Sequence, residues 1–161
     1  MAVNRLVILS VVLMVSLVLG TVKVLSYSPV TVQARIYFMP WYYHVGSRVP
    51  DPWIVAIELK EHHVASKEID PETILLEGIY APGYLKDQNR YHYPYKLFFI
   101  LVVPFDGHDV LDAALAKLGH MAIEPGNHEA YVYLKISGRL LPQYGSTAFE
   151  GSGKVTLDFH Y

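Results

Sequence analysis

The chain of 161 residues contains no cysteine, and only 17% of its residues are charged. Without cysteine there is no disulfide, no thiol nucleophile, no iron–sulfur cluster and no covalently attached c-type haem. There is no excess of basic charge either. Thirteen Lys and Arg face 15 Asp and Glu, for a net charge of -2. The broad positive field of a dedicated nucleic-acid binder is missing, so no nucleic-acid partner is expected. Glycine loops that cradle phosphate are absent in both common forms, Gly-x-Gly-x-x-Gly and Gly-x4-Gly-Lys-Ser/Thr. What the chain has in quantity is apolar surface, 52% of residues, which rules out intrinsic disorder. The length suits one domain with an appendage.

The appendage is at the start. Residues 1–28 carry no acidic residue and two basic ones, Arg5 and Lys23, and the run from Leu6 to Leu19 is uncharged. A basic residue followed by such a run is the pattern of a secretory signal. As a helix the run would span about 21 Å, short of a ~30 Å hydrocarbon core. Continued to Leu25 it reaches about 20 residues, enough to cross if Lys23 snorkels to the interface. A cleaved signal and a retained signal-anchor both fit. Ala-x-Ala does not occur before residue 30, and Ser26-Tyr27-Ser28 is the nearest small-residue site. The absence of cysteine excludes a lipoprotein anchor, and the apolar run precedes Gly20, unlike that of a type IV prepilin. Arg5 on the inside predicts that residues 29–161 lie outside the cytoplasm.

Residues 29–161 keep all the acidic residues and lose Arg5 and Lys23 from the basic count, a net charge of -4. Their texture is β. Val32, Ala34, Ile36 and Phe38 alternate with Gln33, Arg35 and Tyr37, a period of two. Trp53–Leu59, Ile74–Ile79, Ala130–Gly138 and Gly153–Phe159 read as further strands. Tyr95–Val103 is the most apolar run and is expected to be one central strand buried on both faces. Pro71, Pro82-Gly83, Pro125-Gly126-Asn127, Pro142 and Gly145 punctuate the series. Asp106 followed by Val110, Leu111, Ala114, Leu115 and Leu118, then Gly119, predicts a short amphipathic helix. Residues 83–92 read as an exposed loop. Together these predict an all-β fold, an Ig-like antiparallel β-sandwich with one short connecting helix, preceded by an N-terminal hydrophobic helix.

Trp53-Ile-Val-Ala-Ile-Glu-Leu59, Ile69-Asp-Pro-Glu-Thr-Ile-Leu-Leu-Glu-Gly78, Leu97–Asp106, Leu134-Lys-Ile-Ser-Gly138 and Phe149-Glu-Gly-Ser-Gly153 occur in one order. That series resembles an Ig-like β-sandwich module recurrent in secreted and cell-surface proteins of archaea and bacteria, over roughly residues 34–158. The resemblance implies an adhesive or structural module with no catalytic residues to carry over. Members of that family often have an Asp-rich calcium-type loop before the strand that leads into the helix. Here that stretch is Lys86-Asp-Gln-Asn-Arg-Tyr-His-Tyr93, with one carboxylate, so no calcium site is transferred.

Side chains able to carry chemistry are scattered. Of the eight histidines, the adjacent His62 and His63 would point to opposite faces of a strand. His108 and Asp112 share a helix face four residues apart but lack further ligands. His120, His128 and His160 fall in turns or on a polar strand face. Glu150-Gly151-Ser152-Gly153 comes closest to a nucleophile turn, and reads more simply as a tight turn before the last strand. Among Glu58, Asp70, Glu72, Glu77, Asp106 and Glu150, no spacing singles out a glycosidase pair. No catalytic, cofactor-binding or metal-binding residue is assigned, no cofactor is implied, and the chain is read as not an enzyme.

Aromatic residues are more informative. Tyr37-Phe-Met-Pro-Trp-Tyr-Tyr43 and Tyr91-His-Tyr-Pro-Tyr95 are clusters. Tyr and Trp rings with polar tips suit protein or carbohydrate contact surfaces, and equally suit cross-strand pairs and loop anchoring. If the N-terminal segment stays on, the first cluster can also sit at headgroup level. The expectation is a non-enzymatic extracytoplasmic domain, membrane-tethered or secreted. It would act by binding a protein partner or by self-association, with the membrane engaged through residues 1–28. Two alternatives stand beside it. One is a filament or surface-layer subunit that donates an edge strand within Ser28–Phe38, and the other is a metal-dependent extracellular enzyme.

Overall fold

The period-two pattern at Val32–Phe38 becomes strand β1 (Val32–Met39), whose residues are alternately buried and exposed from end to end. The structure, a computed structural model, describes residues 30–60, 65–97, 99–119 and 128–159. The chain continues through β2 (Tyr42–His44) and β3 (Trp53–Leu59), then a 3-10 turn (Ser66–Glu68) and β4 (Ile69–Leu76). A single-turn helix α1 (Gly83–Lys86) precedes β5 (Tyr95–Leu97) and β6 (Ile100–Phe105). Helix α2 (Gly107–Leu118), β7 (Glu129–Leu140), a second 3-10 turn (Pro142–Tyr144) and β8 (Ala148–Asp158) complete the order.

All eight strands belong to one sheet, in the order β4-β7-β8-β1-β3-β6-β5, with β2 added alongside β8. This overturns the sandwich. A sandwich needs two separately hydrogen-bonded sheets stacked face to face. Here β1 pairs with β3 on one side and with β8 on the other, so the ladder runs unbroken from one edge to the other. The sheet curls into an open half-barrel, and the fold is a mixed α/β one with a 12-residue helix rather than an all-β closed sandwich. The motif series that resembled the Ig-like module therefore does not build that module's architecture. Nor is the pairing purely antiparallel, since β1 and β2 both run parallel to β8. Strand lengths and turn residues report how many strands there are; the register that joins them is a tertiary matter.

The curl is made at β8. An added Cβ on Gly151 would lie 2.2 Å from the Ala34 carbonyl oxygen, and one on Gly153 would lie 2.6 Å from that of Ile36. Only glycine lets the two backbones come this close. The expected tight turn at Glu150–Gly153 is thus the middle of a strand. Likewise Val32–Met39, the core of the segment considered as a donor strand, is an interior strand of its own sheet.

The Tyr95–Val103 run is not one central strand. It reverses after Leu97 into a hairpin in which Tyr95, Lys96 and Leu97 face Val102, Leu101 and Ile100, and β5 is the sheet's exposed edge. The run has no Gly, Pro, Asn or Asp at its reversal, so nothing in its composition marks the bend. The Ile74–Ile79 strand begins five residues earlier, bulges after Asp70 around Pro71, and stops at Leu76. Glu77 and Gly78 then turn through left-handed conformations, and Tyr80 bridges back to Leu76.

Helix α2 forms as its spacing predicts. Asp106 Oδ1 accepts from the His108 amide at 2.9 Å, and Val110, Ala113, Ala114 and Leu118 are buried. They join a core of Trp53, Ile57, Leu101, Phe105, Leu134 and Ile136. Fully burying a side chain of this kind contributes about 1.5–3 kcal/mol. Segment 83–92 corrects the loop reading in part. Lys86–Arg90 are exposed, but Tyr84 and Tyr91 are buried. The Tyr84 hydroxyl donates to the Pro71 carbonyl at 2.6 Å, and the Tyr91 hydroxyl to Asp51 at 2.8 Å. Among the described residues no helix is long and apolar enough to cross a membrane. Residues 1–28, on which the hydrophobic helix and its signal or anchor role were read, lie outside the described residues.

Candidate contact surface

Because strand side chains alternate, the residues not used by the core form the convex outer face. Directly paired residues point to the same side, so the register lays this face out in rows. Met39 stands beside Ile54 and Pro104, and Tyr37 beside Ala56, Val102 and Tyr95. Arg35 stands beside Glu58, Ile100 and Leu97. Most of these outward residues are apolar. The pattern continues across the curl, where Tyr42 pairs with Thr156 and Thr156 with Tyr131, and Lys154 pairs with Tyr133.

The result is a belt of exposed rings. Trp41 is 62% exposed, Tyr131 54% and Tyr133 56%, with Tyr37 and Met39 each 47% exposed. Trp41 packs edge-on to Tyr42 at 5.9 Å, and its carbonyl accepts from the Thr156 amide at 2.8 Å, so the rings are held by the sheet. Lys154 Nζ sits 4.5 Å over the centre of the Tyr131 ring, within cation–π range. Beside it opens an apolar groove of about 600 Å³, lined by Tyr37, Met39, Trp41, Ile100 and Lys154 above Ile36 and Phe38. A second, polar hollow of about 340 Å³ lies further along β1 and β8, lined by Gln33, Lys60, Lys135, Glu150 and Ser152 among others. Thr156 Oγ1, in the middle of the belt, is buried with no hydrogen-bond partner among the described residues.

The belt's far end is acidic. His44 Nδ1 lies 2.9 Å from Asp158 Oδ2, and the Tyr42 hydroxyl donates to Glu129 at 3.5 Å. Hydrogen bonding to Asp158, with burial and the charges of Asp158 and Glu129, pushes the Tyr42 phenol up to about 12. Burial first, then the charges of Glu72 and Asp70, raises Tyr84 as well. The folded protein therefore holds these phenol protons more tightly than the unfolded chain. Their contribution to stability is complete below about pH 10 and is lost as the pH rises through the folded-state values. In a base titration followed at 295 nm, these two tyrosines are expected to ionise last, Tyr84 together with unfolding. Tyr84→Phe should remove the latest phase; a single phase near pH 10 for every tyrosine would contradict this.

The residues weighed for chemistry are dispersed. His108 and Asp112 are both exposed on α2, His128 stands before β7, and His62, His63, His120 and His160 lie outside the described residues. Among the described residues no group of three or more His, Asp or Glu is placed to hold a metal ion. Five of the six carboxylates serve the framework. Glu58 takes Arg35 at 3.6 Å and the Tyr37 hydroxyl at 3.2 Å, while Asp70 accepts from the Glu72 amide. Glu77 pairs with Lys117 at 2.8 Å, and Glu150 pairs with Lys135. Burial alone would raise the Asp106 carboxyl, but the His108 amide, the Tyr91 hydroxyl and the charges of Lys86 and Arg90 outweigh it and hold it below its ordinary range.

Of the two aromatic clusters, the first does reach the surface through Tyr37, Trp41 and Tyr42, while Phe38 and Tyr43 turn inward. The second splits, with Tyr91 buried and Tyr93 and Tyr95 exposed. Tyr131, Tyr133 and Lys154 were not singled out in the sequence. For the two tyrosines, their odd-numbered alternation with Val132 and Leu134 was the available signal. No protein-family model matches the chain, and neither does any curated protein or solved structure.

Proposed function

We propose that the chain is a non-enzymatic extracytoplasmic module, membrane-tethered or secreted through residues 1–28, that works by binding another macromolecule through the aromatic belt. One observation carries this: outward rings from β1, β2, β7 and the β1–β2 corner form an exposed surface beside an apolar groove. A water-facing sheet surface ordinarily carries polar side chains, and a large contiguous apolar patch marks a contact site. The rings suit such a role because they bring large contact area at little conformational cost.

A photoreactive amino acid placed at Trp41 of the full chain, in its own cells, tests this. Position 41 is expected to give a discrete adduct to protein or lipid, and the same group at Asp112, exposed on α2, to give none. Absence of any adduct from position 41, or equal labelling from both positions, overturns the reading.

A further inference from the structure

We infer that the occupant of the aromatic belt is the headgroup layer of a phospholipid bilayer, on which the domain lies with its convex face down. This rests on the belt being the working surface. Three features favour a lipid surface over a protein groove partner.

The first is chemistry. Trp41, Tyr42, Tyr131 and Tyr133 are amphipathic rings, exposed together on a convex surface, and rings of this kind partition to the boundary between hydrocarbon and headgroup. The second is charge. The described domain belongs to a segment of net charge -4, yet the groove and the hollow on this face are lined by Lys60, Lys135 and Lys154 with one carboxylate, Glu150, which pairs with Lys135, while on the adjoining row Arg35 pairs with Glu58. Glu129 and Asp158 sit at the far end, drawn against Tyr42 and His44. The cations thus line the stretch between β1's start and the rings, where lipid phosphates would lie. The third is chain connection. The uncharged run Leu6–Leu19 ends 13 residues before β1 begins at Val32, at most about 47 Å of extended chain. β1 then runs along this face to Met39 and Trp41. A bilayer that takes the run is within reach of the belt.

The two tryptophans make the test direct, because Trp41 is exposed and Trp53 is fully buried. The full chain is added to vesicles of phosphatidylcholine and phosphatidylglycerol, with and without bromine on the acyl chains. Bromolipid is expected to quench the emission, and Trp41→Phe to abolish that quenching while the unchanged Trp53 emission reports a folded core. Lys154→Gln and Lys135→Gln should each raise the half-saturating lipid concentration of the quenching by about fivefold, the effect of one cation near an anionic surface. A chain that floats with the vesicles while Trp41 stays unquenched and open to aqueous iodide overturns the inference. If position 41 then gives a protein photoadduct, the belt is a protein-binding surface and the proposed function stands. If it gives none, both fall.

Discussion

Trp53→Ala is expected to cost about 3–5 kcal/mol, which would consume much of the ~5–15 kcal/mol that holds a domain of this size together. Trp53 opens β3 with no exposed surface, facing Phe105 across the β3–β6 ladder. Its ring lies 5.6 Å from that of Tyr43, and its indole N–H donates to the Pro40 carbonyl at 2.8 Å. Alanine removes the largest side chain of the core and leaves that carbonyl without its donor. Trp53→Phe separates the two losses. It keeps most of the packing and should cost about 1–3 kcal/mol, from the lost hydrogen bond to the part-buried Pro40 carbonyl plus a smaller cavity. Urea melts of the two variants check this, with midpoints falling in the order wild type, Phe, Ala and slopes unchanged. A loss below about 1 kcal/mol for the alanine variant would mean that the indole is not the keystone of this core.

Gly151→Ala should follow at about 1–3 kcal/mol, for the opposite reason. The new methyl has no room: the Ala34 carbonyl oxygen would stand 2.2 Å away and its carbon 2.8 Å. Backbone atoms cannot rotate aside, so β8 must back off from β1. The parallel pairs Val32–Phe149 and Gln33–Glu150 would be pulled open. Gly153→Ala should be milder, because part of its crowding comes from the Phe38 ring, which can shift. Gly119→Ala is the control. It sits in right-handed helical conformation, and among the described residues the nearest atom to an added Cβ, apart from its chain neighbours, is the Leu115 carbonyl oxygen at 3.6 Å, so it should be neutral or stabilising by a few tenths of a kcal/mol. Because the curl seats the groove between β1 and Lys154, Gly151→Ala should also alter Trp41 emission. A stability loss equal to that of Gly119→Ala would show that β1 and β8 do not depend on the close approach.

Local signals were read correctly where one residue type had one strong reason. The Val32–Phe38 alternation became a strand with alternate burial, and Trp53–Leu59 became β3 with the same ends. Asp106 capped the helix that its spacing to Val110, Ala114 and Leu118 announced. Errors gathered where composition is blind to direction. An apolar stretch such as Tyr95–Val103 has the same residues whether it continues or folds back, and only the pairing of Leu97 with Ile100 decides. Gly151 and Gly153 look like turn residues until a second backbone is seen lying against them. Tyr84 and Tyr91 sit among Lys86, Asp87 and Arg90, and a charged neighbourhood hides their burial.

The amino-acid sequence by itself determined the exclusions that follow from missing cysteine and missing phosphate loops, the β texture after residue 28, and the one capped helix. These depend on residue identity and on spacing along a single element. Tertiary structure alone decided that the strands join into one curled sheet, and that rings from positions 37, 41, 42, 131 and 133 share its outer face with Lys154. Residues about 90 positions apart in the chain become neighbours only through the parallel ladder of β2 on β8 and the antiparallel ladder of β7 on β8. A contact surface of this kind is a property of register, and register is set by which apolar faces pack together when the whole chain folds.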